Sequence, residues 1–188
     1  MAELYYDRFQ RRQLCLCDTQ SGCIAARLAG IGVQYQALNL PAVAFDADAE
    51  RDEIIGNYLE PLNVVLQRMP SATLDVTSVL PTHPRLHVLK RRFMTEHSHD
   101  TAEAQLMVWG HGVLFMRAGE DVWALRCQAA DFVCLPPGMM HWFEFDEQVG
   151  FRTVRVFEHA ATPRRVRRGR DMRGRYQSLP RSQTAHAS

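Results

Sequence analysis

The chain is 188 residues long and 46% hydrophobic, enough for one well-cored domain and too short for two large ones. It has no run of about 18 apolar residues, so no helical membrane span is expected, and Met1 to Asp7 lacks the basic and apolar regions of a secretory signal. The formal net charge of +1 hides an asymmetry: from Ala160 onward there are eight arginines and one acid, Asp171, a local +7 that leaves −6 on the rest.

Five cysteines, at 15, 17, 23, 127 and 134, with no secretory signal point to reduced thiols in a cytoplasmic protein. Cys15, Cys17 and Cys23 have no second ligand cluster beside them and read as ordinary thiols.

Residues 1 to about 20 read as an irregular strand and loop. Asp18 to Ser21 offers N-cap residues for a short helix over 23–28, which Gly30 stops. Residues 33–40 alternate as a strand that ends at Pro41. A longer amphipathic helix is expected from near Asp48, with Ile55, Tyr58, Leu59, Leu62, Val65, Leu66 and Met69 at helical spacing. Pro61 should kink or break it. Residues 74–80 read as a buried strand, and 84–92 as a helix with Leu86, Val88 and Leu89 facing inward. His83 and His87 lack ligand spacing and read as exposed or capping.

From Phe93 the texture changes to short strands, near 93–98, 103–109, 112–117, 121–127, 132–135, 141–146 and 151–157. Turn signals separate them at Gly110-His111-Gly112, Ala118 to Asp121 and Pro136-Pro137-Gly138. Strands this short and regularly spaced imply a sandwich or a rolled barrel. Trp109 and Trp123 are expected in its wall, and His111 at a turn. Beyond Pro163 the apolar pattern fades, and 164–188 reads as a flexible, Arg-rich tail.

Within the strand region lies Glu96-His97-Ser98-His99-Asp100-Thr101-Ala102-Glu103, closed by Gly110, which reads H-x-H-x3-E-x6-G. A further histidine, His141, follows Pro136-Pro137-Gly138-Met139-Met140. Along a strand His97 and His99 project to the same side, and a short turn then brings Glu103 in from the next strand. Three imidazoles and a carboxylate suit a first-row divalent metal such as iron or nickel. Four protein ligands leave two octahedral positions open. Glu96 and Asp100 each neighbour a ligand histidine, so alternation turns them to the opposite face.

The two motifs together resemble the cupin double motif. The fold this implies is mainly β with N-terminal helices, a cupin jelly-roll β-barrel (a double-stranded β-helix). It would form one domain over 1–163, with 1–92 an α+β extension packed on the barrel and 93–157 the metal-binding core. Arg91 and Ala130 stand where the motifs normally open with glycine, and Phe145 where the second normally closes with asparagine. These departures touch turns and not ligands.

Within cupins the chain is similar to the acireductone dioxygenases, from the early helices to about Val156-Phe157. The pieces that carry the likeness are Phe93-Met94-Thr95-Glu96-His97-Ser98-His99, Glu103, Asp131-Phe132-Val133-Cys134-Leu135-Pro136, His141-Trp142-Phe143 and Arg155-Val156-Phe157. The resemblance implies a metal-dependent dioxygenase of methionine salvage, with one Fe(II) or Ni(II) per chain on His97, His99, Glu103 and His141. It also implies an enediol-type substrate, cleaved at C–C bonds with O2 and contacted by Phe93, Gln105, Phe143 and Arg155. A divalent cation lowers the pKa of a bound enol and holds the resulting dianion ready to attack O2.

Two features depart from the family. Its Glu-x-Arg is Glu103-Ala104-Gln105 here, which replaces a charge-assisted contact by neutral donors. The Gly-Trp pair that normally follows the last core strand is replaced by Glu158 to Pro163 and then arginines. One reading is an acireductone enzyme in which tail arginines such as Arg164 or Arg165 restore the charge. Another is a diverged relative acting on a different small chelating substrate in specialised metabolism. A third is a non-catalytic metal-binding cupin whose basic tail meets nucleic acid or an acidic partner. The tail has no aromatic interleaving and no DNA-binding element, so nucleic acid is not expected as a partner, and with no long apolar run neither is a membrane.

Overall fold

The computed structural model describes residues 1–8, 13–46, 49–67, 72–157, 165–171 and 176. In chain order the elements are β1 (Glu3–Arg8), β2 (Cys15–Asp18), α1 (Ser21–Ala29), β3 (Gln34–Ala37), α2 (Arg51–Leu66), β4 (Thr73–Val79) and α3 (Leu86–Met94). They continue with β5 (Thr95–His99), β6 (Glu103–Ala118), β7 (Asp121–Gln128), β8 (Asp131–Leu135), β9 (Met140–Phe145), β10 (Phe151–Phe157) and β11 (Arg165–Asp171). All pairings are antiparallel. One sheet runs β11-β5-β9-β6-β7-β1-β2 and the other β4-β10-β6-β8-β3, so β6 belongs to both.

The first half of β6 pairs with β8 and β10, the second with β7 and β9. The expected turn at Gly110-His111-Gly112 is therefore a change of sheet within one long strand, and His111 is a strand residue opposite Gln128. Gly110 has φ +75°, and a Cβ there would lie 2.9 Å from the Phe151 Cα. Only glycine accepts both the backbone conformation and the close approach. The β6–β10 register also shifts between Arg152 and Thr153, which lie opposite Trp109 and Met107. This is a bulge that helps β6 turn the corner.

The core between the sheets gathers Leu4, Met107, Leu114, Met116, Leu125, Val133, Phe143 and Phe151, with Ile24 and Leu28 of α1 closing one end. On the outer face of the second sheet, α2 buries Ile54, Ile55, Tyr58 and Leu62 against Ala104, Leu106, Val154 and Val156. These residues flank Pro61, and the helix runs through it unbroken. Burial of about 1.5–3 kcal/mol for each large apolar side chain outweighs the roughly 3 kcal/mol of an interior proline. Outside the first sheet Trp142 stacks on Phe115 at 4.7 Å with an interplanar angle of 5°, and Tyr176 joins them.

Several local expectations change. Strands β1 and β2 pair antiparallel, with a register shift between Leu4 and Tyr5, and extend the first sheet through β7. Among the described residues the strand β4 pairs only with β10, and it is half-buried except at Val79. Val88 is exposed while Leu86 and Leu89 pack inward, and Phe93 lies on α3 rather than on a strand. Trp109 is exposed, whereas Trp123 packs 4.6 Å from Tyr6. In the basic segment, where a flexible tail was expected, Arg165–Asp171 pairs with β5.

Ala130 is the non-glycine residue with positive φ, +81°, among those described. It sits in the β7–β8 turn, where the motif normally carries glycine. Relief of about 1–2 kcal/mol of backbone strain exceeds the roughly 0.5–1 kcal/mol of chain entropy that glycine adds. Ala130→Gly is therefore expected to raise the urea midpoint. A second stability test concerns Glu144, whose carboxyl is pushed up from 4.5 to about 7, chiefly by burial, with Trp142 and Lys90 offsetting part. The folded chain then holds more protons than the unfolded one between these values, so stability falls as pH rises through that window. Unfolding of Glu144→Gln across pH 4–8 should lose this slope, with the gain over wild type appearing only at the high end.

Candidate metal centre

The alternation of β5 turns His97 and His99 to the inner face and Glu96 to the outer one, where Glu96 accepts a hydrogen bond from Arg117 Nε at 2.6 Å. His141 on β9 lies directly across from His97. Glu103, the first residue of β6, comes in after the short connection that follows His99. The ligand atoms of the three histidines lie within 4.8 Å of one another. Glu103 Oε2 is 3.0 Å from His99 Nε2 and 3.4 Å from His141 Nε2. Asp100, just past the end of β5, is exposed.

Two backbone carbonyls set the imidazole orientations. His97 Nδ1 is 2.7 Å from the Thr95 oxygen and His141 Nδ1 is 2.9 Å from the Met139 oxygen. An Nδ1–H donating there leaves the Nε2 lone pair for a cation. On the other side of the carboxylate, Arg155 Nη2 donates to Glu103 Oε1 at 2.6 Å. One oxygen of Glu103 thus belongs to a guanidinium and the other faces the imidazoles. Burial alone would raise the Glu103 carboxyl, but His141, His99 and the Arg155 charge overrule it and hold it well below the usual range.

The donor set passes a test of fit. Glu103 Oε2 is buried and, although His99 Nε2 and His141 Nε2 lie near, no hydrogen bond of good geometry reaches it, a costly state for a carboxylate oxygen unless a cation compensates. Three nitrogens and one oxygen suit a first-row divalent ion.

The centre opens into a cavity of about 300 Å³. Its lining includes all eight residues singled out from the sequence: His97, His99, Glu103 and His141, with Phe93, Gln105, Phe143 and Arg155. Phe93 stands edge-on to Phe143 and to Phe151, with ring centroids 6.5 and 5.4 Å away, and the three form an apolar wall. The pairing of Arg155 with Glu103 was not anticipated. It follows from the β10–β6 register, which sets Arg155 opposite Gln105 and Phe157 opposite Glu103. Also unanticipated on the lining are His83, Arg92, Ser78 and Thr153. His83 Nδ1 accepts the Arg85 N–H at 3.1 Å just before α3, and His83 borders the cavity as well. No motif spacing could have announced residues that reach the cavity from a loop (His83), from β4 (Ser78), from α3 (Arg92) and from β10 (Thr153). Glu158 to Arg164, where the missing Gly-Trp would lie, fall outside the described residues, as does the side chain of Arg165.

Comparison with known proteins bears on the same region. The ARD/ARD′ family model matches residues 5–163. The acireductone dioxygenase of Methylococcus capsulatus is 32% identical over 141 residues, 75% of each chain. That of Pseudomonas aeruginosa is 30% identical over 154 residues, 82% of this chain and 84% of its own. The solved acireductone dioxygenase of Bacillus anthracis, with a cadmium ion in its active centre, superposes with a TM-score of 0.74 at 21% identity. It covers 87% of this chain and 98% of its own. The expected cupin fold is thereby confirmed.

In the metal-free chain Arg155→Met would leave a buried carboxylate without its guanidinium. It should lower the unfolding free energy by about 3 kcal/mol, the low end for breaking a buried pair, because the arginine side chain is 19% exposed. Urea unfolding measures this directly, and an unchanged midpoint would mean that the pair does not hold Glu103.

Proposed function

The chain belongs to the ARD/ARD′ family, and on that footing we propose that it is a metal-dependent dioxygenase that cleaves C–C bonds of an acireductone-like enediol with O2, in methionine salvage. One observation supports this reading above the others: Glu103 Oε2 and the nitrogens of His97, His99 and His141 converge within an aromatic-walled cavity. These four residues would hold one Fe(II) or Ni(II). When bound, the metal supplies Lewis-acid activation of the enediol and makes its reaction with O2 accessible.

The protein's own part is positional and electrostatic. Arg155 keeps Glu103 ionised and aimed, and the Thr95 and Met139 carbonyls hold the rings of His97 and His141. Phe93 and Phe143 shield the reacting end of the cavity from water. Gln105 offers an amide N–H to a substrate oxygen without adding charge. The five cysteines are all free thiols, which fits a reducing cytoplasm. No helix among the described residues is long and apolar enough to cross a membrane.

Gln105 also favours a second reading, a diverged relative acting on another small chelating substrate. The test loads chelator-stripped protein with Fe(II) or with Ni(II) and follows metal content and O2 uptake on acireductone. One metal per chain and rapid O2 uptake with Fe(II) are expected. Glu103→Gln and His141→Ala should weaken metal binding by more than the ~10–100-fold that loss of an outer-shell partner costs. Metal bound without O2 uptake would leave the second reading in place. Failure to bind metal would sink both.

A further inference from the structure

Strand β5 carries two of the four proposed ligands, yet its register with β9 consists of the single pair His97–His141. Its other edge is taken by β11, which sets Arg165 opposite His99, Arg167 opposite Ser98, Arg168 opposite His97 and Asp171 opposite Thr95. Most of the backbone pairing that fixes the two histidines therefore comes from a strand beyond residue 163, where the family match ends.

The outer side of β5 shows how close this contact is. Glu96 is 4% exposed and is pinned by Arg117. Gly169 of β11 lies on that carboxylate. A Cβ at Gly169 would overlap the Glu96 carboxylate, 2.8 Å from its Cδ, and would lie 2.9 Å from Met140 Cε. Glu96 is the neighbour of His97, and Met140 is the neighbour of His141. A side chain at position 169 would thus press on both ligand strands at once. Both contacts are ends of flexible side chains, but Glu96 is tied to Arg117 and Met140 is buried, which limits how far either can give.

We propose that β11 is a strap that sets the spacing of β5 and β9, and so of His97 and His141, with Gly169 as the positioning residue acting through Glu96–Arg117 and Met140. The inference rests on the reading of His97, His99, Glu103 and His141 as metal ligands. It assigns the basic segment a structural task at that centre.

The test titrates Co(II) into the full-length, metal-stripped chain, reading affinity by calorimetry and ligand geometry from the visible absorption of the bound ion. Gly169→Val is expected to bind Co(II) at least about tenfold more weakly, the scale of losing an outer-shell support, and to shift the spectrum. Gly169→Ala should move both in the same direction by less, and it reads the same quantities if the valine variant does not fold. Val166→Ala, at an exposed position on the same strand, should match wild type. A folded Gly169→Val protein with wild-type affinity and spectrum would overturn the strap and leave the ligand assignment intact. If the wild-type chain binds no Co(II), the ligand assignment falls and the strap falls with it.

Discussion

Strand β6 serves two sheets and enters them with opposite parity. Glu103, Gln105 and Met107 face inward where it pairs with β8 and β10, whereas Leu114 and Met116 face inward where it pairs with β7 and β9. A strand cannot change parity without an extra residue, because a one-residue slip turns every side chain to the other face. The bulge beside Trp109 and the positive φ of Gly110 supply that slip. Without it, either Glu103 would face α2 or Leu114 would leave the core for the outer side, where Phe115 packs on Trp142. The centre and the core exist together because β6 bends once, at one place.

Around that bend charge is buried in an ordered way. Glu103 on the inner side answers to Arg155, and Glu96 on the outer side of β5 answers to Arg117. Each acid is one residue or none from a strand end; Arg155 reaches Glu103 from the adjacent β10, and Arg117 of β6 reaches Glu96 on β5 across the intervening β9. Buried pairs of this kind give little net stability, since desolvation consumes much of the attraction. They restrict which strand can lie beside which. Here they hold β5, β6, β9 and β10 in the arrangement that brings four donor atoms together.

The inner face of the site was legible in the sequence because strand alternation is strict. His97 and His99 had to share a face, Glu96 had to leave it, and the resemblance to a known family supplied Phe93, Phe143 and Arg155. What period-2 reasoning could not supply was anything set by partners distant in sequence. Pro61 reads as a break until α2 is seen to be clamped on both sides of it by the second sheet. Gly110-His111-Gly112 reads as a hairpin until the pairing partners change across it. The segment 165–171 reads as a solvated arginine run because its pairing with β5 depends on backbone groups and on a glycine that packs on Glu96. None of these is visible in hydrophobic spacing.

The grip of Arg155 on Glu103 also limits what can enter. With Oε1 committed to a guanidinium 2.6 Å away, the carboxylate has a single oxygen left to give. Calcium takes about six to eight oxygen ligands, often with carboxylates bound through both oxygens, and here it would meet three nitrogens and one oxygen. Magnesium prefers an oxygen octahedron and fares no better. The three imidazoles disfavour the common hard cations, and the arginine adds to this by occupying the second carboxylate oxygen.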